Sequence, residues 1–281
     1  MQSPVNLIRD NPKPAETHAV SQSNWKKELA NATTSASRLL KRLQLESQLP
    51  LIDEQPDFRC LATDSYISKM QVGKIDDPLL RQVLPLAEEN HSQIQSNGVY
   101  DPVGDMAAMA SSGLLHKYHG RALLITTGAC AIHCRYCFRR HYPYQQSSCN
   151  SHDLSMAVDY LSRHPEIDEI ILSGGDPLVM DNDKLASLIR QLESMPQLST
   201  LRIHSRLPVV LPNRIDDGLV KLLQASRLLI VMVIHSNHAN ELQHNEQSKL
   251  NSLHAAGITL LNQSVLLEGV NDDADTLITL S

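Results

Sequence analysis

The sequence is poor in aromatic residues and has no excess of positive charge. Phe, Trp and Tyr make up 4% of the 281 residues, and 31 acidic residues outnumber 25 basic ones, which gives a net charge of −6. Nucleic-acid binders typically combine basic patches with aromatic stacking surfaces, and basic clusters also attract anionic membranes. The composition therefore predicts no nucleic-acid partner and no membrane partner, and it favours a small-molecule ligand.

Long apolar runs are missing as well. No stretch of about 18 apolar residues occurs, so the sequence contains no candidate membrane span, and residues 1–10 lack the apolar segment of a secretory signal. The five cysteines are an odd number, and three of them fall within eight residues. That usage is typical of a reducing compartment, so we expect a cytoplasmic protein whose cysteines are kept for metal.

Apolar periodicity divides the sequence into two predicted parts. Residues 1–107 should form a helical N-terminal region, with an amphipathic helix over 25–44 and another opened by Asp77-Pro78. From residue 121 onwards short apolar strands alternate with helical stretches, which indicates a parallel sheet covered by helices. The predicted strands are 122–126, 169–173, 201–204, 228–234 and 258–265, and the predicted helices are 153–163, 182–194, 214–224 and 241–256.

Five β/α units predict an α/β fold, a partial barrel over residues 108–281. Right-handed crossovers would curl such a sheet into a barrel or leave it open. The sequence stops at Leu280-Ser281 within an apolar, helix-like stretch, and a parallel sheet that ended there would lack at least one strand. We therefore expect the chain to be truncated at its C-terminus.

Three cysteines follow the first predicted strand of this sheet. Cys130, Cys134 and Cys137 have the spacing Cys-x3-Cys-x2-Cys, in the kind of strand-to-helix loop where parallel α/β folds place their chemistry. A 4Fe–4S cluster ordinarily takes four cysteines. Three thiolates would hold three irons and leave the fourth iron open to an external ligand.

A structural zinc site is the alternative interpretation of these cysteines. It would take three cysteines with His133 or His141 as the fourth ligand, although zinc modules more often pair two short spacings and no second Cys-x2-Cys occurs. Cys60 and Cys149 are predicted to be unliganded thiols.

A glycine motif, Ser173-Gly174-Gly175-Asp176-Pro177, stands at the end of the next predicted strand. Two glycines allow backbone to approach a ligand closely, and their N–H groups could meet a carboxylate. Glycines at strand ends also form simple turns, so the motif alone is weak evidence for a binding site. It becomes strong evidence in combination with the cysteine motif one strand earlier.

Together these motifs resemble the lysine 2,3-aminomutases of the radical S-adenosylmethionine (SAM) superfamily. The resemblance runs from about Leu115 to Asp272, and the N-terminal helix with DPLLRQVLP (77–85) resembles the EpmB branch, which makes β-lysine for elongation factor P. It implies a partial (β/α)6 radical SAM barrel. The matching segments are HKYHGR (116–121), the cysteine loop, SGGDPL (173–178), SRLPVVLPNRI (205–215), HSNHANEL (235–242) and NQSVLLEGVND (262–272).

The resemblance implies an isomerase that converts L-α-lysine to β-lysine. In that family a 4Fe–4S cluster cleaves SAM reductively, the resulting radical takes hydrogen from C3 of lysine held on pyridoxal 5′-phosphate (PLP), and the nitrogen migrates from C2 to C3. The implied partners are an electron donor such as flavodoxin and, indirectly, elongation factor P with its lysyl-transferring ligase. Two alternatives stay open: a radical SAM aminomutase for another amino acid, and a zinc-stabilised binding module without catalysis.

The resemblance also implies roles for two substrate-binding residues. Arg139 matches an arginine that grips the substrate α-carboxylate, a task that suits a guanidinium fork, with adjacent Arg140 as a competitor. Asp272 matches an aspartate that pairs with the substrate ε-ammonium, and its alternative role is a helix cap.

The remaining implied site residues concern the cofactors. The lysine that carries PLP in the family, and a second aspartate, would lie beyond the position that matches Ser281. Lys117 stands where the family has a second phosphate-binding arginine, and His235 could equally be a core histidine. The implied contacts are Gly174, Gly175 and Asp176 for the methionine end of SAM, Arg206 and Lys117 for the PLP phosphate, and Tyr118, His235 and Gln263 for the walls of the SAM and PLP pocket.

Overall fold

The computed structural model describes residues 24–53, 58–90, 99–144 and 151–281. Cys149, which the sequence analysis predicted to be an unliganded thiol, lies outside these residues. Within them the main feature is a seven-stranded sheet in which the strands follow one another in chain order. The strands are β1 (Met109–Ser111), β2 (Leu114–Tyr118), β3 (Arg121–Thr127), β4 (Glu169–Gly174), β5 (Thr200–Ser205), β6 (Leu229–Ile234) and β7 (Thr259–Asn262).

Five of the strands, β3 to β7, are parallel neighbours. At the other edge β1 pairs with β2, and β2 pairs with β3, both in antiparallel fashion. The predicted α/β class is confirmed, and the sequential order is consistent with an open, partial barrel. The β1–β2 hairpin was not predicted, because these strands are short and half exposed. Gly120, at a φ of 80°, makes the turn between β2 and β3.

The N-terminal part contains shorter helices than predicted: α1 (Asn24–Ala30), α2 (Ala36–Arg42) and α3 (Asp64–Ile67). The single helix expected over 25–44 was wrong. Thr33 leaves helical geometry to form a β-bridge with Ala62, and Ser35 then caps α2 by accepting the N–H of Arg38. Asp77 does cap as expected, accepting the N–H groups of Leu79 and Leu80 at 2.9 Å, but only a single 3-10 turn follows it.

The four helices predicted in the sheet region agree with the structure to within about three residues. Asp181 and Asp216 cap the two central ones by accepting backbone N–H groups. No helix among the described residues is long and apolar enough to cross a membrane. In chain order the helices of this region are α4 (Ser151–Ser162), α5 (Asn182–Glu193), α6 (Leu207–Val210), α7 (Asp217–Gln224), α8 (His244–Ala255) and α9 (Ala274–Leu280). The short helix α6 was not predicted, and α9 lies in the apolar, helix-like stretch at the end of the sequence.

One continuous apolar core joins the N-terminal part to the sheet. Trp25, Leu39 and Tyr66 belong to the same cluster of buried residues as Leu172 and Ile203. The division of the chain at residue 107 stays a prediction.

Candidate active site

The carboxyl ends of the parallel strands open into a cavity of about 450 Å³. Side chains and backbone from the loops after the parallel strands converge at this end, as expected for a barrel of this kind. Of the predicted site residues, only Asp272 does not line the cavity. Those that do are Lys117, Tyr118, Cys130, Cys134, Cys137, Arg139, Gly174, Gly175, Asp176, Arg206, His235 and Gln263.

The cysteine loop is fixed against the N-terminal part of the chain. The N–H of His133 bonds to the carbonyl of Leu61 at 2.9 Å, and the N–H of Arg135 bonds to the carbonyl of Gln82 at 2.8 Å. Ile132 inserts into the core, with 4% of its surface exposed. The backbone that carries the cysteines is therefore anchored on both sides of Cys134.

The three cysteines share one wall of the cavity, but their thiols do not form a ready-made ligand set. Among the described residues no three His, Cys, Asp or Glu side chains converge on a metal position. Burial raises the pKa of the Cys130 and Cys137 thiols, because a lone thiolate is poorly solvated there. Iron offsets that penalty by binding the deprotonated sulfur, so a partly buried, sulfur-only donor set fits an iron–sulfur cluster.

The histidines that a zinc site would need are occupied elsewhere. The ring of His133 stacks on Phe58 with centroids 4.5 Å apart, and its Nδ1 lies 2.9 Å from the carbonyl oxygen of Arg59. His141 packs edge-on against Tyr100 at 5.0 Å. This arrangement favours the cluster over a zinc site of three cysteines and one histidine.

The glycine motif packs against the cysteine loop. A Cβ on Gly174 would lie 2.6 Å from the Thr127 carbonyl oxygen, and one on Gly175 would lie 2.3 Å from that of Ala129. The N–H of Gly175 donates to Thr127 at 2.6 Å, and that of Asp176 donates to Ala129 at 2.8 Å. The expectation that the N–H of Gly175 meets a ligand is therefore corrected, because it helps to hold the two loops together. The cofactor contacts of Gly174 and Gly175 stay predictions.

Asp176 is buried, and its carboxylate is fully used by the protein. It accepts the hydroxyl of Ser205 at 2.7 Å and the backbone N–H groups of Leu178, Arg206 and Leu207 at 2.7–3.2 Å. Burial raises the pKa of this carboxyl to about 6 in spite of these donors. The side chain ties the end of β4 to the end of β5, and its contact with SAM stays a prediction.

Arg206 lies in a buried polar network beside the cysteines. Its Nη1 is 2.7 Å from Cys134 Sγ and from the hydroxyl of Tyr136, and its Nη2 donates to Gln82 Oε1 at 2.6 Å and to Glu241 at 3.2 Å. Only its Nε lacks a partner among the described residues. The PLP phosphate contact stays a prediction, since it would require part of this network to rearrange.

Lys117 and Arg139 are held by one carboxylate that the sequence analysis did not single out. Asp105 Oδ1 lies 2.5 Å from Lys117 Nζ, and its Oδ2 lies 2.7 Å from Arg139 Nε. Arg139 also donates from Nη1 to Ser173 Oγ at 2.9 Å. The competing Arg140 instead places its guanidinium over the ring of Phe58, 5.1 Å from the centroid.

Two histidines form the wall at the ends of β5 and β6. His204 and His235 lie edge to face with centroids 5.9 Å apart, and both Nε2 atoms lack a partner among the described residues. Burial lowers the pKa of His204 to about 4 and that of His235 to about 3, so both rings are neutral near pH 7. Sequence reasoning missed His204, whose only signal was its place at the end of a predicted strand.

Asp272 is exposed and lies outside the cavity wall. Its Oδ1 accepts the N–H of Gly269 at 2.9 Å. The alternative role as a helix cap was wrong by one residue, since Asp273 caps α9 by accepting the N–H of Thr276. The structure does not bring Asp272 together with Arg139, and its pairing with a substrate ammonium stays a prediction.

Comparison with known protein families shows to which family the chain belongs. The family model of the Radical SAM superfamily matches residues 124–280, which include all three cysteines and the glycine motif. The L-lysine 2,3-aminomutase of Escherichia coli K12 is 44% identical over 264 residues, which cover 93% of this chain and 76% of that protein. The chain belongs to the radical SAM superfamily, and within it to the lysine 2,3-aminomutase family.

Other members of the family show how widely the similarity extends. The L-lysine 2,3-aminomutase of Haemophilus influenzae is 43% identical over 271 residues, covering 95% of this chain and 79% of that protein. The enzyme of the same name from Clostridium subterminale is 32% identical over 253 residues, covering 89% of this chain and 60% of that protein.

These relatives carry the name of an isomerase. Radical SAM proteins use a 4Fe–4S cluster and SAM, and lysine 2,3-aminomutases use PLP as well. The cofactors expected from the resemblance are therefore confirmed for the family to which this chain belongs.

Proposed function

We propose that the protein is a PLP-dependent lysine 2,3-aminomutase of the EpmB branch, which converts L-α-lysine to β-lysine for the modification of elongation factor P. One observation carries the proposal. The three cysteines of the family motif line the same cavity as Arg139 and Lys117, the two cations assigned to the substrate carboxylate and the PLP phosphate.

The charge of the cavity supports ligands with anionic ends. Although the whole chain carries −6, four cations line the cavity against the carboxylates of Asp105 and Asp176. Both carboxylates already accept bonds from protein donors. SAM, lysine and PLP each bring a carboxylate or a phosphate, so the local excess of positive charge suits all three. The four cations are Lys117, Arg121, Arg139 and Arg206.

The side chains present fit the division of labour in the family. When bound, the cluster with SAM supplies the radical that removes hydrogen from the substrate, and PLP carries the migrating amino group. The chain itself contributes binding and orientation. We assign the cluster to Cys130, Cys134 and Cys137, and the substrate carboxylate to Arg139.

The residues proposed to surround the cofactors also act by binding and orientation. Lys117 presents a point charge to the phosphate, and neutral His235 with Gln263 lines the pocket at the ends of β6 and β7. Because burial keeps the His235 ring uncharged, it can donate or accept a hydrogen bond without adding to the positive charge of the cavity.

Selection of lysine is assigned to Asp272. A carboxylate near the far end of the substrate would favour an ammonium and disfavour a glutamate side chain. In the described arrangement Asp272 holds the Gly269 turn, so the assignment requires its carboxylate to exchange that backbone donor for the substrate. A flavodoxin-type electron donor and a cytoplasmic location complete the proposal.

The test is anaerobic reconstitution of the full-length protein, including the lysine that carries PLP in the family, with iron and sulfide, followed by incubation with SAM, PLP, a strong reductant and one amino acid at a time. We expect β-lysine from L-lysine, and no β-amino product from ornithine, glutamate or alanine. A different preferred amino acid would replace lysine in the proposal, while a colourless protein that holds zinc would overturn the radical SAM assignment.

The Asp272→Asn variant tests the substrate end separately. Losing one partner of a desolvated charge contact typically costs about 2–5 kcal/mol. We expect turnover of lysine to fall steeply while SAM binding changes little. Normal turnover in this variant would show that the carboxylate serves only the Gly269 turn.

A further inference from the structure

Among the described residues Asp105 and Asp176 are the two carboxylates that line the cavity, and the position of Asp105 is fixed by its own loop. The residue is 2% exposed. Its backbone N–H bonds to Asp101 Oδ1 at 2.8 Å, and the N–H of Met106 bonds to Asp101 Oδ2 at 2.9 Å. The side chain of Asp101 therefore fixes the backbone of the loop that carries Asp105.

The carboxylate of Asp105 bridges two cations that come from separate elements. Lys117 belongs to β2 and Arg139 to the cysteine loop, and each contacts a different oxygen of Asp105, at 2.5 and 2.7 Å respectively. Lys117 Nζ also donates to the carbonyl of Val103 at 2.6 Å. Two neighbouring cations would otherwise repel each other, and the shared carboxylate offsets that repulsion.

These contacts leave at least one donor of each cation without a partner among the described residues. Asp105 and Ser173 engage Nε and Nη1 of Arg139, and Nη2 has no hydrogen-bond partner among the described residues. Two acceptors engage Lys117 Nζ, which has three protons. Asp105 thus holds each cation in place, and at least one donor of each is left to bind an anion in the cavity.

We propose that Asp105 is a positioning residue that orients Arg139 toward the substrate carboxylate and Lys117 toward the cofactor phosphate. This inference rests on the proposed function for the identity of the two ligands. Because one carboxylate sets both cations, it couples the placement of the substrate to that of the cofactor. A loosely held guanidinium or ammonium would still attract anions, but it would not fix their distance from the cluster.

Orientation is tested first without any ligand. Phenylglyoxal labelling of Arg139, followed by peptide mass spectrometry, reports how well the guanidinium is held. We expect the labelling rate to rise several-fold in Asp105→Asn and to stay near the wild-type rate in Asp105→Glu. Asp105→Ser serves as the second variant, with the same expectation as Asp105→Asn, if the asparagine variant does not fold.

Asp77→Asn is the matched control. Asp77 is as buried as Asp105, and among the described residues its carboxylate accepts only the backbone N–H groups of Gln71, Leu79 and Leu80. It should cost stability without changing the labelling of Arg139. An unchanged Arg139 rate in the Asp105 variants, or an equal rise in Asp77→Asn, would overturn the proposal.

Ligand measurements on the reconstituted protein then separate this inference from the proposed function. Binding of PLP relative to pyridoxal isolates the phosphate contact, and we expect Asp105→Asn to lower that preference about tenfold. KM for lysine should rise more than kcat falls, since Arg139 acts on binding. If the wild-type protein shows no preference for PLP and no turnover, the proposed function fails, while the labelling result still decides the role of Asp105.

Discussion

The guanidinium of Arg206 and the carboxylate of Glu241 form an ion pair that is almost fully shielded from solvent. Nη2 lies 3.2 Å from Oε2, and the two side chains are 4% and 0% exposed. Gln82 bridges them, donating to Glu241 at 2.9 Å and accepting from Arg206 at 2.6 Å. Because Gln82 comes from the N-terminal part, this buried network fastens that part to the sheet beside Cys134.

Replacing one partner of this ion pair should lower the free energy of unfolding more than replacing both partners. Arg206→Met leaves the Glu241 carboxylate buried without its cation, and we expect the free energy of unfolding to fall by about 3–5 kcal/mol. Adding Glu241→Met should restore part of that loss. Urea unfolding of the two single variants and the double variant measures the coupling. Strictly additive losses would show that the two residues do not stabilise each other.

The cluster assignment predicts that each of the three cavity cysteines is indispensable. Replacing Cys130, Cys134 or Cys137 by alanine should abolish 5′-deoxyadenosine formation from SAM and lower the iron content after reconstitution. Cys60→Ala is the control: Cys60 is 2% exposed in the core, and burial raises the pKa of its thiol to about 12, so it is not a reactive ligand. A Cys137→Ala variant that still cleaved SAM would contradict the assignment.

Gly175→Ala should damage the cysteine loop. The added methyl would stand 2.3 Å from the carbonyl oxygen of Ala129, which is backbone and cannot turn aside. We expect the loop to shift and the iron content to drop. Gly218→Ala is the control, because its methyl would meet only side-chain atoms, the amide of Asn182 at 2.9 Å and the carboxylate of Asp216 at 3.2 Å, and alanine favours the helix by up to about 1 kcal/mol. Full iron content in Gly175→Ala would show that the contact is dispensable.

The neutral histidines of the cavity predict a loss of stability in acid. The pKa values of His204 and His235, about 4 and 3, lie below the value of about 6.5 for an unfolded histidine. Between about pH 4 and 6.5 the unfolded chain therefore binds more protons, and the free energy of unfolding falls as pH falls. Each histidine contributes a slope of about 1.4 kcal/mol per pH unit.

Asp176 opposes this trend over part of the range. Its pKa of about 6 is above that of an unfolded aspartate, so its contribution to stability is lost as pH rises through about 4 to 6. The two histidines outweigh it. Urea unfolding at several pH values should show that the free energy of unfolding depends less steeply on pH in His204→Gln than in the wild-type protein, by about one proton. Equal slopes in the two proteins would mean that His204 is protonated in the folded state.

The alternation of strands and helices in the sheet region was predictable because it is a local property. Apolar runs such as 169–173 and capping residues such as Asp181 act on neighbours a few positions away. The cysteine spacing is local as well, so the sequence alone determined the cluster motif and its place after β3. The family followed from these motifs before any geometry was known.

Other features depended on partners that only the folded chain brings together. The helix expected over 25–44 breaks because Thr33 pairs with Ala62, and the glycine motif faces the loop at Ala129. Asp105 meets Arg139 across 34 positions of sequence. Hydrogen bonds and ion pairs act over a few ångströms of space, so no local pattern predicts which distant residue will satisfy a buried carboxylate or guanidinium. Sequence determined which chemical groups are present, and tertiary packing decided which of them stay free to meet a ligand.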